Sequence, residues 1–170
     1  MIYFTSDLHF GHANIIKYCN RPFASAEEMD AQLIKNWNDM VKKDDIVYVL
    51  GDLTKIEDKD VINSYLSKLE GRKIFILGNH DEYIRENYKE LLFEEVVEYK
   101  EIAVDGTLIV LCHYPILEWN KKNKGSICLH GHTHNHSPSG CGIERLFDVG
   151  VDANGFKPVS VNEIFKEINV

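Results

Sequence analysis

With 170 residues, 44% of them hydrophobic and 27% charged, the chain is long enough for one domain spanning 1–170 whose core needs no staple. Its formal net charge of −8 argues against a broad nucleic-acid or anionic-membrane footprint and against tight binding of polymeric nucleic acid, because such surfaces are basic. Four cysteines, Cys19, Cys112, Cys128 and Cys141, without CxxC spacing, and the lack of a basic leader or an apolar run of about 20 residues, lead us to expect reduced thiols and a cytoplasmic protein.

In chain order, Ile2-Tyr3-Phe4-Thr5 reads as a first strand. Ser25 and Glu28 form a capping box, after which Met29, Leu33, Trp37 and Met40 recur at helical spacing. Ile46 to Leu50 is a buried-strand run. A second helix should place Val61, Ile62, Tyr65, Leu66 and Leu69 on one face and stop at Gly71, followed by a third strand, Ile74 to Leu77. Val96 to Val104 and Thr107 to Cys112 are strand-like and joined at Asp105-Gly106, a strong hairpin signal. Ile127 to His130 and Leu146 to Val149 also read as extended, and Ser160 with Glu163 caps a last helix carrying Ile164, Phe165 and Ile168. A parallel first half and a more antiparallel second half predict two packed sheets flanked by helices.

Five short polar segments end these hydrophobic runs: Asp7-Leu8-His9, Gly51-Asp52, Gly78-Asn79-His80-Asp81, His113, and Gly131-His132-Thr133-His134. Ligand sites of open α/β sheets form beyond the carboxyl ends of strands, so groups distant in sequence would converge at one edge. Carboxylate, imidazole and amide are the donors that hold divalent ions, and Asp52 is the natural bridging group because a carboxylate can touch two ions. His132 and His134 are one residue apart, which allows either the same side of an extended segment or, in a tight turn, different ions. Bound ions would reverse the sign of charge locally, so an acidic chain can still take an anionic substrate.

The order Asp-x-His, Gly-Asp, Gly-Asn-His-Asp, His, Gly-His-x-His resembles the calcineurin-like metallophosphoesterase family over residues 7 to 134. The resemblance implies an α/β, four-layer α/β/β/α sandwich of two mixed sheets. It implies one ion at Asp7, His9, Asp52 and His134, and a second at Asp52, Asn79, His113 and His132. It further implies in-line attack of a metal-bridging hydroxide on phosphorus. His80 matches the family's phosphate-contacting histidine, which can protonate the leaving oxygen, and Asp81 would orient that imidazole or fix the turn. Manganese is the expected metal, with iron, zinc, nickel or cobalt compatible. The second motif runs Gly51-Asp52-Leu53-Thr54-Lys55-Ile56 and lacks the arginine of the protein Ser/Thr phosphatase branch. The chain resembles the small, uncapped bacterial and phage members of the family, and that resemblance implies a small phosphodiester, nucleotide-derived compounds included, as the substrate. A phosphomonoesterase is the alternative, and a non-catalytic scaffold the alternative of another class.

Outside the motifs, His12 stands close enough to line the pocket or else starts a helix or lies at the surface, and His130 reads as a packed strand residue. Arg21 offers a bidentate clamp for phosphate or, at least as well, a surface ion pair. Trp119 with Lys121, Lys122 and Lys124 offers a base-stacking rim or, as the better reading, a solvated charge run. His136, beside Ser137-Pro138-Ser139-Gly140, reads as solvated. Gly150 is placed for close backbone approach, and Asp152 receives no role.

Overall fold

Short apolar runs buried between helices and a second sheet build the first sheet in the computed structural model, which describes residues 1–136 and 143–168. Strands β1 (Ile2–Thr5), β2 (Ile46–Leu50), β3 (Arg72–Ile76) and β4 (Glu95–Val97) run parallel. With β9 (Val159–Ser160) antiparallel to β1, they form one sheet in the order β4-β3-β2-β1-β9. One face carries Val47, Val49 and Phe75 onto Met29, Leu33 and Trp37 of helix α2 (Ala26–Met40) and Ile62 and Leu66 of α3 (Lys59–Leu66). The same cluster takes Ile15 of α1 (Ala13–Tyr18) and Ile84 of α4 (Glu82–Asn87), two short helices without a strong periodic signal.

The opposite face, with Phe4, Tyr48, Leu50, Ile74 and Ile76, meets Ile109, Leu111, Ile127 and Leu129 of the second sheet. That sheet has the order β5-β6-β7-β8, from β5 (Lys100–Val104), β6 (Thr107–Leu111), β7 (Ile127–His130) and β8 (Leu146–Asp148). Leu50, Ile76, Leu111 and Leu129 are fully buried, each worth roughly 1.5–3 kcal/mol of apolar burial. Helix α5 (Val161–Glu167), started by the Ser160–Glu163 capping box, closes this core with Val161, Ile164 and Phe165. Two mixed sheets flanked by helices are thus what the chain forms.

Three details differ from the sequence expectation. The run Val96 to Val104 is not one strand: it leaves the first sheet after Val97 and enters the second at Lys100. Only β5 and β6 are antiparallel in the second sheet, joined by Asp105 and Gly106, both at positive φ as a tight hairpin turn requires. The β6–β7 and β7–β8 pairs are parallel because each connection is long enough for a crossover. Val61 lies 38% exposed rather than on the buried face of its helix.

Trp119 does not form a rim. It is buried on the outer face of the second sheet with Val110, Cys128 and Leu146, and its Nε1 donates to Ser126 Oγ at 3.0 Å. Lys122 Nζ stands 4.8 Å from the Trp119 ring centroid. This segment and its single 3₁₀ turn, Lys122–Lys124, cover that outer face. Trp119→Ala should therefore lower stability by about 3–5 kcal/mol, the usual loss for a buried Trp. Urea unfolding checks this; a change near zero would return Trp119 to the surface.

Candidate metal centre

The carboxyl ends of β1, β2, β3, β6 and β7 open onto one edge, and the polar segments meet there. Asp7 is fully buried, and His9, Asp52 and His113 are each 1% exposed. Such groups are buried at a cost unless something partners them. Asp52 lies between two sets: its Oδ2 is 3.6 Å from His9 Nε2 and its Oδ1 is 3.7 Å from His113 Nε2. His134 Nε2 is 3.8 Å from Asp7 Oδ1. These gaps are too long for hydrogen bonds but close to the spacing of two ligands on one ion, about 3–3.6 Å. Ligand atoms of Asp7, His9 and His134, and of Asp7, Asp52 and His113, fall within 4.8 Å of one another.

The donor set fits cations for a second reason, seen at His113, where two acceptor atoms meet. His113 Nδ1 donates to the Leu50 carbonyl at 2.7 Å. Burial above all holds its pKa below the ordinary value and so favours the neutral ring. A neutral ring that donates through Nδ1 has only a lone pair on Nε2. That lone pair meets another acceptor, Asn79 Oδ1, at 2.9 Å, and His132 Nδ1 reaches the same oxygen at 2.9 Å. Asp7 Oδ1 and both ring nitrogens of His9 are buried without a hydrogen-bond partner among the described residues. Burial raises the Asp7 carboxyl to about 7, and burial first, then the Arg21 charge, drives His9 far below its ordinary value. Positive charge placed between these groups would relieve all of these penalties.

The backbone is bent to achieve this. Asp7, His9, Asp52, His132 and His134 all have positive φ, from 46° to 69°, a region that Asn, Asp and His tolerate better than most residues. A side chain at Gly131 would collide with Ser6 Oγ and Asp7 Oδ2, so only glycine lets the last motif approach the first. Gly51, at φ +89°, packs as closely on Gly78 and the His113 ring. The His132 backbone N–H donates to Asp7 Oδ2 at 2.9 Å, and Thr133 Oγ1 donates to Asp148 Oδ2 at 2.7 Å, which fixes the loop carrying the last two histidines.

Asn79 and His80 are exposed at the rim. The His80 ring is 5.8 Å from that of His9, and burial of its inner part lowers its pKa. His12 precedes α1 as its cap residue and also lines the site, 5.5 Å from the His9 ring, with its Nδ1 buried and without a hydrogen-bond partner among the described residues. His130 is buried, its Nδ1 2.8 Å from the Gly131 carbonyl oxygen, as a packed strand residue should be. Cys141 and Ser137 to Gly140 lie outside the described residues.

Asp81 serves the turn rather than the His80 ring. Its carboxylate accepts the backbone N–H groups of Asp52 (2.7 Å), Leu53 (3.1 Å) and Gly78 (2.7 Å), tying the second motif to the third. Arg21 is not a phosphate clamp: it is 4% exposed, and its fork closes on Asp152 of this chain, with both contacts at 2.8 Å. Asp152, to which no motif pointed, also holds His134 Nδ1 at 2.7 Å. Tyr114 was missed as well; 45% exposed, it stands edge-on to the rings of His113 and His132. Its place next to His113 was the one available signal.

Comparison with known proteins agrees with this geometry. The family model for the calcineurin-like phosphoesterase superfamily domain matches residues 1–151. An uncharacterised protein of Methanocaldococcus jannaschii is 42% identical over 98% of this chain and 90% of its own. The gene 66 protein of Mycobacterium phage L5 is 34% identical over 98% of this chain and 93% of its own. The crystal structure of a protein of unknown function from Aquifex aeolicus superposes with a TM-score of 0.79 at 32% identity, covering 99% of both chains.

The turn role of Asp81 is open to a direct check. Asp81→Asn keeps the shape but turns an amide NH2 toward backbone N–H groups, and should lose about 1–3 kcal/mol of stability. His80→Asn, at an exposed position, should lose less than about 0.5 kcal/mol. Chemical denaturation of the two variants side by side makes the comparison; equal losses would overturn the assignment.

Proposed function

The chain belongs to the calcineurin-like phosphoesterase superfamily, and on that premise we propose that it is a metal-dependent phosphodiesterase. One ion would be held by Asp7, His9, Asp52 and His134, the other by Asp52, Asn79, His113 and His132. Manganese is the ion we favour; iron, zinc, nickel and cobalt suit the same nitrogen and oxygen donors. Bound there, two divalent ions would supply an acidified water as nucleophile and positive charge for the phosphoryl oxygens.

The protein's own groups do the rest. Asp52 sets the two positions relative to each other, and Asp81 fixes Asp52 through its backbone. His80, exposed beside the cradle, is placed to contact the phosphate and give a proton to the leaving oxygen. His12 flanks that side. The reading rests above all on one observation: buried imidazole nitrogens of His9 and His113 face the two oxygens of Asp52 at 3.6 and 3.7 Å, too far for hydrogen bonds and near the spacing of two ligands on one ion.

Preference for a diester draws support from the shape of the opening. One hollow of about 470 Å³ lies against Asn79 and His113, with Arg85, Glu98 and Tyr114 as walls. A second, of about 310 Å³, lies against Asn79 and His80, with Lys55 and Tyr83. A diester carries a substituent on each side of phosphorus, and a monoester needs only one such space. Tyr114 offers an exposed aromatic ring in the first hollow, which suits a nucleotide-derived substituent. A cytoplasmic setting fits Cys19, Cys112 and Cys128, which are free thiols. Among the described residues, no helix is long and apolar enough to cross a membrane.

Metal-stripped protein reloaded with manganese should hydrolyse bis(p-nitrophenyl) phosphate faster than p-nitrophenyl phosphate. His80→Ala should reduce the rate by about 10²–10⁴-fold. Turnover of the monoester alone would make the protein a phosphomonoesterase. No turnover of either compound with any of the five metals would contradict the enzymatic reading and favour a scaffold.

A further inference from the structure

Behind the metal centre lies a charged cluster that the proposed chemistry does not use. Arg21 Nε and Nη2 donate to the two oxygens of Asp152, both at 2.8 Å. The same guanidinium donates to the Asp7 carbonyl at 2.7 Å and the Leu8 carbonyl at 3.1 Å. Asp152 Oδ2 in turn accepts Nδ1–H of His134 at 2.7 Å. One cation therefore holds the backbone at Asp7 and Leu8 and, through Asp152, the ring of His134. The Arg21 side chain is fully buried and that of Asp152 is 6% exposed, so the strap is built into the interior.

We infer that Arg21 and Asp152 are positioning residues for one ion only, the one cradled by Asp7, His9, Asp52 and His134. The inference rests on the two-ion reading above. By accepting the Nδ1–H hydrogen bond, Asp152 selects the neutral tautomer of His134 whose Nε2 lone pair is directed toward Asp7 Oδ1, 3.8 Å away. Carboxylate partners of this kind fix a ligand's tautomer and ring orientation and raise its basicity. Arg21 is suited to the task where lysine is not, because its planar fork serves a carboxylate and two carbonyls at once. Among the described residues, the opposite side of Asp52 has no such strap: His113 is oriented by the Leu50 carbonyl, and Asn79 and His132 are exposed. Cys19 also comes within 4.8 Å of His134 and Asp152, but a guanidinium already on both Asp152 oxygens disfavours a further cation there.

The test is calorimetric titration of metal-free full-length protein with manganese, for the wild type, Asp152→Asn and Asp152→Glu. Low-temperature electron paramagnetic resonance at intermediate loading adds a readout independent of activity. Wild type should take two ions and show a spin-coupled pair. Each variant should bind one ion about 10–100-fold more weakly, keep the other unchanged, and show mononuclear manganese at loadings where the wild type is paired. Equal weakening of both ions, or no change in either, in a folded variant would overturn the inference. Should Asp152→Asn fail to fold with Arg21 left short of charge, Asp152→Glu keeps the charge, moves the carboxylate and decides alone. A wild type that never takes two ions would instead refute the two-ion reading.

Discussion

The position of Asp52 is the constraint on which the rest of the structure depends. A carboxylate with 1% exposure, at the end of a parallel strand, faces one imidazole with each oxygen. Buried charge of this kind is destabilising unless it is paired. Here the two imidazoles stand too far from Asp52 for hydrogen bonds, while the His80 backbone N–H donates to its Oδ1 at 3.0 Å, an arrangement that suits cations between the carboxylate and the rings. Asp81 and its three backbone N–H groups, the close glycine contacts, and the Arg21–Asp152 strap all hold acceptors in place against their mutual repulsion.

The two sheets make that arrangement affordable in structural terms. The parallel β1, β2 and β3 deliver Asp7, Asp52 and Asn79 to one edge, and β6 and β7 deliver His113 and the His132–His134 loop from the facing sheet. The apolar layer between the sheets, centred on Leu50, Ile76, Leu111 and Leu129, is what keeps the two sets at fixed separation. Backbone in the left-handed region at five of the proposed ligand positions adds on the order of 1–3 kcal/mol of strain each at most. Such strain persists only where the surroundings over-determine it.

Sequence reading reached the strands and the polar segments that end them because both follow local rules: hydrophobic runs, then a turn with a chemically distinctive group. It missed what depends on contacts between distant positions. Nothing local distinguishes Arg21 as a partner of Asp152, 131 residues away. Trp119 reads as part of a solvated charge run, or of a rim, because its neighbours are lysines, yet the outer face of the second sheet needed an apolar cover and took it. The stretch from Val96 to Val104 reads as one strand since its alternation is nearly continuous; the switch between sheets at Glu98 and Tyr99 is a tertiary event. Tyr114 gave only its adjacency to His113.

Anomalous diffraction from a manganese-soaked crystal tests the central claim most directly. Two peaks should lie about 3.5–4 Å apart. One should stand against Asp7, His9 and His134, the other against Asn79, His113 and His132, with the Asp52 carboxylate between them. A single peak on one side of Asp52, or ions found only elsewhere on the surface, would contradict the account.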